Sequence, residues 1–292
     1  MNRRNFLQRA AVGTSLVLPI SSLLLGKKAM GTSEPTQAPP LSPTDLTLAA
    51  VAVNGAYLEA EFFLRVLTGN GLSAADTSGV GPAGPVLAPK EDPLEFRNAT
   101  IKAVAEQLAR DEFGHLHVVR NLFTSFGLTP PARPTIDLTS SFSALAEGAG
   151  IHRDFVPFDS ERDFSLFAFF LEQITSSTFV GAISVLQNDV VKATAASLLG
   201  DEAAHNGFSR VVLAQEKLID DANRIAAFSQ RLVNSAKTII QPLFDDGRLI
   251  LAPVGDDGLV VPLDLRGFQN LVFLGINANA GGFYPNGLNL SA

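Results

Sequence analysis

The sequence predicts an all-α fold, a four-helix bundle with one long crossover connection. Apolar residues recur at the spacing of an amphipathic helix over four long stretches of the chain. Only the short segment LQND separates the third stretch from the fourth, so these two helices are expected to be antiparallel neighbours. About thirty residues separate the second stretch from the third, which is enough to cross the length of a bundle.

The N-terminus is predicted to be a twin-arginine (Tat) signal peptide covering residues 1–31. Arg3 and Arg4 precede an apolar run over residues 10–26, and the small residues at 29–31 offer a cleavage site. The run has about the length of a short membrane span, so an uncleaved anchor is the alternative. Cleavage would release a folded protein into the periplasm or the extracellular space, with no remaining tie to the membrane.

The first helix is predicted at residues 44–68, after a linker of Pro, Ser and Thr at 32–43. Ser42 or Thr44 is expected to cap its N-terminus, and Gly69 is expected to end it.

The second helix is predicted to start with Pro93 early in its first turn and to stop at Gly127. Apolar spacing, proline and glycine place the other elements. After the first helix these are a loop at 69–93, the second helix at 93–126, an irregular crossover at 128–159 with a short helix near 140–147, the third helix at 160–185, the fourth at 189–219 and a fifth at 220–241, which ends at Pro242.

The C-terminal tail alternates Gly and Asn with short β-like runs. It is predicted to form a small irregular lobe over residues 243–292, packed on a bundle that covers residues 44–242.

The composition argues against several classes of function. Residues 1–31 hold five of the 22 basic side chains and none of the 29 acidic ones, so the remaining chain has a net charge of −12. Such an acidic protein is a poor candidate for binding nucleic acid or an anionic membrane. The absence of cysteine excludes disulfides and iron–sulfur clusters. Both methionines, Met1 and Met30, lie in the predicted signal, so the mature chain would contain no sulfur. The absence of readily oxidised side chains suits a site that handles O₂ or peroxide. Chance drift of the sequence explains this absence equally well.

Two matching Glu-x-x-His motifs carry the predicted chemistry. Glu112 and His115 share one face of the second helix, and Glu202 and His205 share one face of the fourth. Both pairs fall within apolar stripes that are expected to face the core. A buried carboxylate must be neutralised, paired or bound to a cation. Few basic residues are predicted to be buried, so a metal ion is the simplest partner.

The other two long helices each offer a glutamate in the inward register. Glu59 on the first helix follows this register, whereas Glu61 precedes Arg65 by four residues and is expected in a solvent-facing ion pair. Glu172 lies in the apolar stripe of the third helix. One Glu from each of two helices and a Glu-x-x-His from each of the others form the ligand set of a dinuclear carboxylate site. This donor set favours two Fe or Mn ions, with Zn less suited because thiolates are absent. The predicted ligands are Glu59, Glu112, His115, Glu172, Glu202 and His205.

An aspartate precedes the glutamate in both motifs. Asp111 and Asp201 are predicted to accept the outer N–H of a metal-binding histidine, with the opposite histidine as one candidate partner. Four other polar residues have no predicted role in the site. His117 faces away from the site and His152 lies in the crossover. Glu106 and Glu216 are expected to be exposed to solvent.

Five segments of the chain follow a known pattern: YLEAEFFLR (57–65), DEFGHLHVVR (111–120), SSTFVGAI (176–183), DEAAH (201–205) and GGFYPNGLN (281–289). These segments resemble the ferritin-like superfamily, and specifically its desiccation-related branch. Members of the branch typically end in a Phe/Tyr-Pro-x-Gly-x-Asn segment, which ordinary ferritins lack. One departure is NGA at 54–56, where relatives often have Asn-Leu-Glu, and this departure favours Glu59 as the ligand on the first helix. The resemblance implies a ferritin-like bundle with a di-metal centre.

The sequence therefore predicts an exported dinuclear metalloprotein that protects against oxidative or desiccation stress. If it is an enzyme, catalase-like disproportionation of peroxide or oxidation of a metal by O₂ or peroxide is expected, with no catalytic residue assigned beyond the metal ligands. The alternative is a non-catalytic protective bundle whose metal site is vestigial or only stabilising. A homo-oligomer is compatible with the sequence, but a 24-subunit storage shell fits poorly because the long loops and the C-terminal lobe would crowd it.

Overall fold

A computed structural model of the protein describes residues 40–89 and 92–291. The predicted signal peptide and residues 32–39 of the predicted linker lie outside the described residues. Within them the fold is all-α, as predicted, with two short two-stranded β ladders. The helices are α1 (Pro43–Thr68), α2 (Ala74–Thr77), α3 (Ala99–Ser125), α4 (Ser140–Ala149), α5 (Glu161–Ile183), α6 (Asp189–Gln215), α7 (Ile219–Val233) and α8 (Leu265–Val272), and the strands are β1 (Val86–Leu87), β2 (Ile136–Asp137), β3 (Phe244–Asp245) and β4 (Arg248–Leu249).

Helix α1 has well-defined caps at both ends. The Ser42 side chain accepts a hydrogen bond from the backbone N–H of Asp45, and the Asp45 carboxylate accepts from the backbone of Ser42, which forms a capping box. Gly69 adopts a left-handed conformation with φ of 74° and closes the C-terminus. Asp45 also accepts the backbone N–H of Gln187 at 2.8 Å, so the cap of α1 holds the turn between α5 and α6.

Helix α3 begins six residues later than predicted. The Asn98 side chain accepts the backbone N–H groups of Thr100 and Ile101, so Asn98, rather than the region of Pro93, is the N-cap. The Glu161 carboxylate accepts the backbone N–H groups of Arg97 and Asn98 at 2.6 and 2.8 Å. These tertiary bonds hold the residues before Asn98 out of the helix.

The fourth and fifth predicted helices are both too long at their C-termini. Lys217 has φ of 58° and separates α6 from α7, and Asn234 has φ of 54° and ends α7. The predicted helix to Pro242 is therefore wrong after Val233. The residues that follow are held instead by Gln230, whose side-chain oxygen accepts the backbone N–H groups of Ile239 and Ile240, both at 2.9 Å.

The four long helices pair as α1 with α3 and α5 with α6. The crossover between α3 and α5 contains α4 and strand β2, which pairs in parallel with β1 from the loop after α2. Both long connections are thereby joined to each other on the outside of the bundle.

An aromatic core ties the crossover and the C-terminus to the bundle. The centroid of the Phe167 ring on α5 lies close to the ring centroids of three other phenylalanines. The distances are 4.6 Å to Phe62 on α1, 4.8 Å to Phe142 on α4 and 5.2 Å to Phe283 near the C-terminus. Burial of large aromatic side chains is a dominant stabilising contribution in cores of this kind. These four segments therefore share one core.

The C-terminal segment contains a helix, α8, that the sequence analysis missed. Beyond α8 the chain returns to α1, where Asn289 and Asn54 exchange hydrogen bonds of 3.0 and 2.8 Å between backbone and side chain. The hydroxyl of Tyr284 donates to the Asn54 carbonyl at 2.5 Å. The motif GGFYPNGLN is thus fixed to the middle of α1, one turn before Glu59.

Among the described residues, α5 alone is long and apolar enough to cross a membrane by length and composition. Its most apolar window is 67% buried inside the protein. Helix α5 is therefore interpreted as the central core helix of the bundle.

Candidate metal centre

The structure brings all six predicted ligand side chains into one buried cluster at the centre of the bundle. Glu59 comes from α1, Glu172 from α5, and the two Glu-x-x-His motifs from α3 and α6. The carboxylates of Glu112 and Glu172 are completely enclosed, and the other four residues are also buried. Their helical spacing places each Glu and His of a motif on the same inward face.

Each imidazole directs its Nδ1 atom at the carboxylates. Nδ1 of His115 lies 3.1 Å from Oε2 of Glu112 and 3.2 Å from Oε1 of Glu202. Nδ1 of His205 lies 3.1 Å from Oε1 of Glu112 and 3.4 Å from Oε2 of Glu172. Glu112 therefore lies between the two rings, whose centroids are 5.8 Å apart.

The two aspartates contact the outer nitrogens across the bundle. Nε2 of His115 on α3 lies 3.1 Å from Asp201 on α6, and Nε2 of His205 on α6 lies 3.3 Å from Asp111 on α3. A carboxylate at Nε2 favours the tautomer that carries its hydrogen there, which leaves the Nδ1 lone pair directed into the cluster. The Asp201 side chain is 44% exposed, so it also connects the cluster to solvent.

Several polar atoms of the cluster have no hydrogen-bond partner within the described protein. Glu59 Oε1, Glu172 Oε1 and Glu202 Oε2 have none, while Glu112 Oε1, Glu172 Oε2 and His205 Nδ1 meet only one another, at 3.1 and 3.4 Å. Buried polar atoms without a partner are rare, because each one costs about 1–3 kcal/mol, and more when it is charged. Unpaired carboxylate oxygens that converge from three helices therefore fit a bound cation as the missing partner.

The electrostatics of the cluster show a shortage of positive charge. Burial, and then repulsion by Glu112, Glu202 and Glu172, raises the pKa of Glu59 well above its usual value. Burial also raises the pKa of Glu202, and it raises that of Glu172 to about 8. Without cations, Glu172 therefore tends to hold a proton at neutral pH.

The histidines show the complementary shift. Burial alone would lower their pKa values, but the carboxylates around His115 and His205 outweigh it and raise both pKa values strongly. The pKa of Glu112 falls to about 2, because its contacts with both imidazoles outweigh the effect of burial. Protons on the histidines thus partly supply the positive charge that the cluster requires.

The donor set fits two divalent ions. Four glutamates and two neutral imidazoles would be balanced in charge by two such ions, and oxygen and nitrogen donors without sulfur suit Fe or Mn. One donor atom each from Glu112, Glu172, Glu202 and His205 lies within 4.8 Å of all the others. Glu59 and His115 stand beside this tight group, His115 through its contacts with Glu112 and Glu202. Asp111, Asp201 and His205 form a second close group on its outer side.

Glu61 is buried, which corrects the prediction that it faces solvent. It pairs with Arg65 at 3.1 Å as expected, but it also pairs with Arg133 from the crossover. The prediction that Glu59 and Glu61 lie on different sides of α1 is correct. The error arises because the crossover covers the outer face of α1, a contact that the sequence pattern of one helix cannot reveal.

The other polar residues without a predicted role lie away from the cluster. His117 lies 3.4 Å from Asp76, His152 and Glu216 are exposed, and Glu106 is half-buried.

Sequence reasoning missed Arg210, a fully buried arginine on α6, one helical turn beyond the cluster. It donates to the side chains of Asn206 and Gln173 and to the carbonyls of Pro242 and Ile250. Burial lowers its pKa to about 10. The spacing of Asn206 and Arg210, four residues apart on the inward face, was the signal that could have found it. It binds the segment around β3 and β4, so that within the described part of the chain its guanidinium does not pair with the carboxylates of the cluster.

Comparisons with known proteins agree with this architecture. A family model described as the ferritin-like domain matches residues 44–215. The desiccation-related protein PCC13-62 of Craterostigma plantagineum is 25% identical over 197 residues, which cover 65% of this chain and 60% of that protein. The match thus spans less than two thirds of that relative's length. No solved structure matches the chain significantly. The matched region contains all six cluster residues.

Proposed function

Since the chain belongs to the ferritin-like domain family, we propose that it is an exported metalloprotein that binds two Fe or Mn ions in the cluster of Glu59, Glu112, His115, Glu172, Glu202 and His205. The observation that carries this proposal is the set of unpaired buried carboxylate oxygens. Protons on His115 and His205 offset only part of their charge, and the buried Arg210 binds carbonyl and amide groups instead.

The bound ions would supply reversible one-electron redox steps with O₂ or peroxide as the small-molecule partner. The protein's own residues would hold the ions and exclude bulk water, since the cluster is almost fully enclosed. Asp111 and Asp201 would keep the imidazoles in the metal-binding tautomer. Asp201, at the exposed end of this pair, also offers a place for protons to pass between the histidine and solvent.

Protection against oxidative or desiccation stress is the biological role that we propose. It is supported by the similarity to a protein whose name is desiccation-related. The twin-arginine pattern of the N-terminus supports export to the periplasm or beyond, and the acidic surface argues against nucleic acid and anionic membranes as partners.

The activity is tested with protein loaded separately with Mn²⁺ and Fe²⁺. Oxygen evolution from hydrogen peroxide by the Mn form would establish catalase-like activity, and accelerated oxidation of Fe²⁺ in air would establish metal-oxidase activity. The Glu172→Gln variant, which removes one charge from the cluster at nearly constant volume, should lower either rate at least tenfold. No turnover by either loaded form would rule out both activities.

A purely structural role for the metal is the second candidate, and the complete enclosure of Glu112 and Glu172 favours it. Thermal melts with and without a chelator distinguish the two, alongside the Glu112→Ala variant. Loss of thermal stability on chelation, without any redox turnover, would favour the structural role. Turnover by the loaded protein would contradict it.

A further inference from the structure

The outer face of α6, the side of the helix that points away from the core, carries almost no charge. Between Ala193 and Gln215 its exposed residues are Ala196, Ser197, Gly200, Ala203, Phe208, Val211 and Gln215. None of these is acidic or basic, whereas a surface helix of a soluble protein normally exposes charged residues. Helix α7, for comparison, exposes Arg224 and Arg231. The outer face of α6 therefore differs from an ordinary solvated surface.

Three large apolar side chains stand on or beside this face. Phe208 and Leu251 are each 50% exposed, and Val211 is 37% exposed. Leu251 lies two residues after β4, and a Cβ atom at Gly207 would lie 3.9 Å from its carbonyl oxygen. Leu251 thus borders the outer face of α6. Contiguous exposed apolar surface of this kind marks a contact site for another protein.

The face has both a protrusion and a depression. Phe208 is the protrusion, and Gly200, about two turns earlier on the same side of the helix, is the depression. A Cβ atom at Gly200 would meet open space. In a dimer with two-fold symmetry one surface contacts an identical surface, so the protrusion of each copy can fill the depression of the other. The face is in this sense complementary to itself.

Helix geometry fixes the pairing that such a dimer requires. Phe208 and Gly200 each lie four residues from Ala204. Two antiparallel copies of α6 that cross at Ala204 therefore place Phe208 of one copy opposite Gly200 of the other. Val211 then lies opposite Ser197, because each is seven residues from Ala204. The small side chain at the crossing point allows the two helices to approach closely.

The charge of the protein favours a second copy on this face. The chain after residue 31 has a net charge of −12, so two copies repel each other over most of their surfaces. The uncharged face of α6 lets them meet without this penalty. Asp201 lies at its edge, where its side chain is 44% exposed and contacts His115 at 3.1 Å. The two copies of Asp201 would be about 9 Å apart along the helices, which is about one Debye length.

The size of the face predicts weak association. From Ala193 to Gln215 the helix rises about 33 Å, and with Leu251 on one edge the face is roughly 15 Å wide. The contact would bury about 500 Å² on each copy, which is near the lower limit for a specific interface. Such a dimer is expected to dissociate at micromolar concentrations.

We propose that two copies of this chain associate through the outer faces of α6, antiparallel and crossing at Ala204. The seven exposed residues of the face include none of the predicted metal ligands. The association is therefore independent of the proposed function, and metal-free protein should dimerise like the metal-loaded form.

Sedimentation equilibrium between about 1 and 300 μM protein tests the proposal. We expect a monomer–dimer equilibrium. Val211→Glu should weaken the dimer at least tenfold, because a carboxylate would be buried against apolar surface. Ala103→Glu is the matched control, since it adds the same charge on the exposed face of α3, and it should leave the equilibrium unchanged. A wild-type protein that stays monomeric at the highest concentration would overturn the proposal, and so would an association that Val211→Glu does not weaken.

A second substitution guards against a defect in folding. Phe208→Glu should weaken the dimer as much as Val211→Glu does, and both variants should keep the wild-type melting temperature at low concentration because both side chains are exposed. An unchanged dimer in Phe208→Glu would overturn the proposed face.

The double variant Ser197→Lys/Val211→Glu tests the antiparallel crossing. Positions 197 and 211 are about 21 Å apart within one helix, so the new charges can pair only between copies. The dimer should recover to within about threefold of the wild-type affinity. Weakening by Val211→Glu without recovery in the double variant would overturn the crossing at Ala204.

Metal analysis of the same samples separates this inference from the proposed function. Val211→Glu should contain as much metal as the wild type while it loses the dimer. If the protein binds no metal but dimerises as described, the proposed function is wrong and the interface stands. If it binds metal but stays monomeric, the interface is wrong and the proposed function stands.

Discussion

At the scale of single residues, the centre consists of carboxylates that attract cations and histidines whose orientation is fixed from outside. Glu112 lies within 3.1 Å of both imidazoles. Asp201 and Asp111 contact the same rings from the other side, each from the opposite helix. Because each aspartate joins α3 to α6, the same contact sets the histidine tautomer and the spacing of the two helices.

Replacing Asp201 with Asn should weaken metal binding 10–100-fold, because Nε2 of His115 loses its carboxylate acceptor. Competition with a fluorescent chelator measures this affinity. Asp189→Asn is the matched control, since Asp189 is exposed on the same helix, and its affinity should equal that of the wild type. An unaltered affinity in Asp201→Asn would show that the aspartate has no part in the site.

The pKa of Glu172 predicts how the metal-free protein responds to pH. Its value of about 8 lies above the usual 4.5, since burial disfavours the charged form. The contribution of protonated Glu172 to the free energy of unfolding is therefore fully present below pH 4.5, and it is lost as the pH rises through about 8. Thermal melts in chelator should show a falling melting temperature from pH 5 to 8.5, and Glu172→Gln should show a smaller fall.

Metal binding should follow the opposite trend, because the ions bind the ionised carboxylate and displace its proton. Affinity for Mn²⁺ should rise between pH 6 and 8, by about tenfold per pH unit for each proton released. Calorimetry in two buffers of different ionisation enthalpy counts these protons. An affinity that is independent of pH over this range would contradict the account.

At the scale of elements, α6 joins the metal centre to the C-terminal segment. Glu202 and His205 face the cluster, and Arg210, one turn further, holds the carbonyls of Pro242 and Ile250 at 3.0 and 2.9 Å. The ladder of β3 and β4 lies between these two carbonyls in the chain. Arg210 thus anchors both ends of the segment around the ladder, and Asn223 on α7 holds its middle by accepting the backbone N–H of Leu243 at 2.6 Å.

Arg210→Met should destabilise the protein by roughly 3 kcal/mol, because buried carbonyl and amide groups lose their donor. Hydrogen exchange should accelerate most in the segment from Gln241 to Ile250, which Arg210 contacts. Arg224→Met serves as the control, since Arg224 is exposed and bonds only to the carbonyl of Gly150 among the contacts identified. Exchange that rises equally over the whole chain would contradict a local anchoring role.

The helix boundaries show where local patterns are insufficient. The caps at Ser42 and Gly69 depend on adjacent residues, and the predicted bounds of α1 are accurate to within one residue. The start of α3 depends on Glu161, more than sixty residues away, whose carboxylate holds Arg97 and Asn98 outside the helix. Distant contacts of this kind leave no signature in the local sequence.

At the scale of the whole molecule, the all-α fold and the family were predictable, and both predictions are confirmed. Hydrophobic periodicity identifies four long helices, and the uneven connections indicate the crossover. The burial of Glu61 and the anchoring by Arg210 were not predictable from periodicity. Both follow from the crossover and the C-terminal segment, which cover faces of the bundle that a four-helix pattern leaves to solvent.

The candidate site was also accessible from sequence, because each of its residues occupies a helical position that local spacing defines. The structure places the six side chains together, and their binding of metal stays a prediction. An apolar cavity of about 40 Å³ lies beside them and was not foreseen. It depends on the gap between α1 and α5, two helices that are more than ninety residues apart in the chain.

The central claim is that this cluster binds two metal ions, and elemental analysis of protein purified from its native compartment tests it most directly. The account predicts about two ions of Fe or Mn per chain. It also predicts a loss of at least half of this metal in Glu112→Ala, with unchanged content in the control Glu106→Ala. Fewer than about one metal ion per chain in the wild-type protein, or the same content in Glu112→Ala, would contradict the claim.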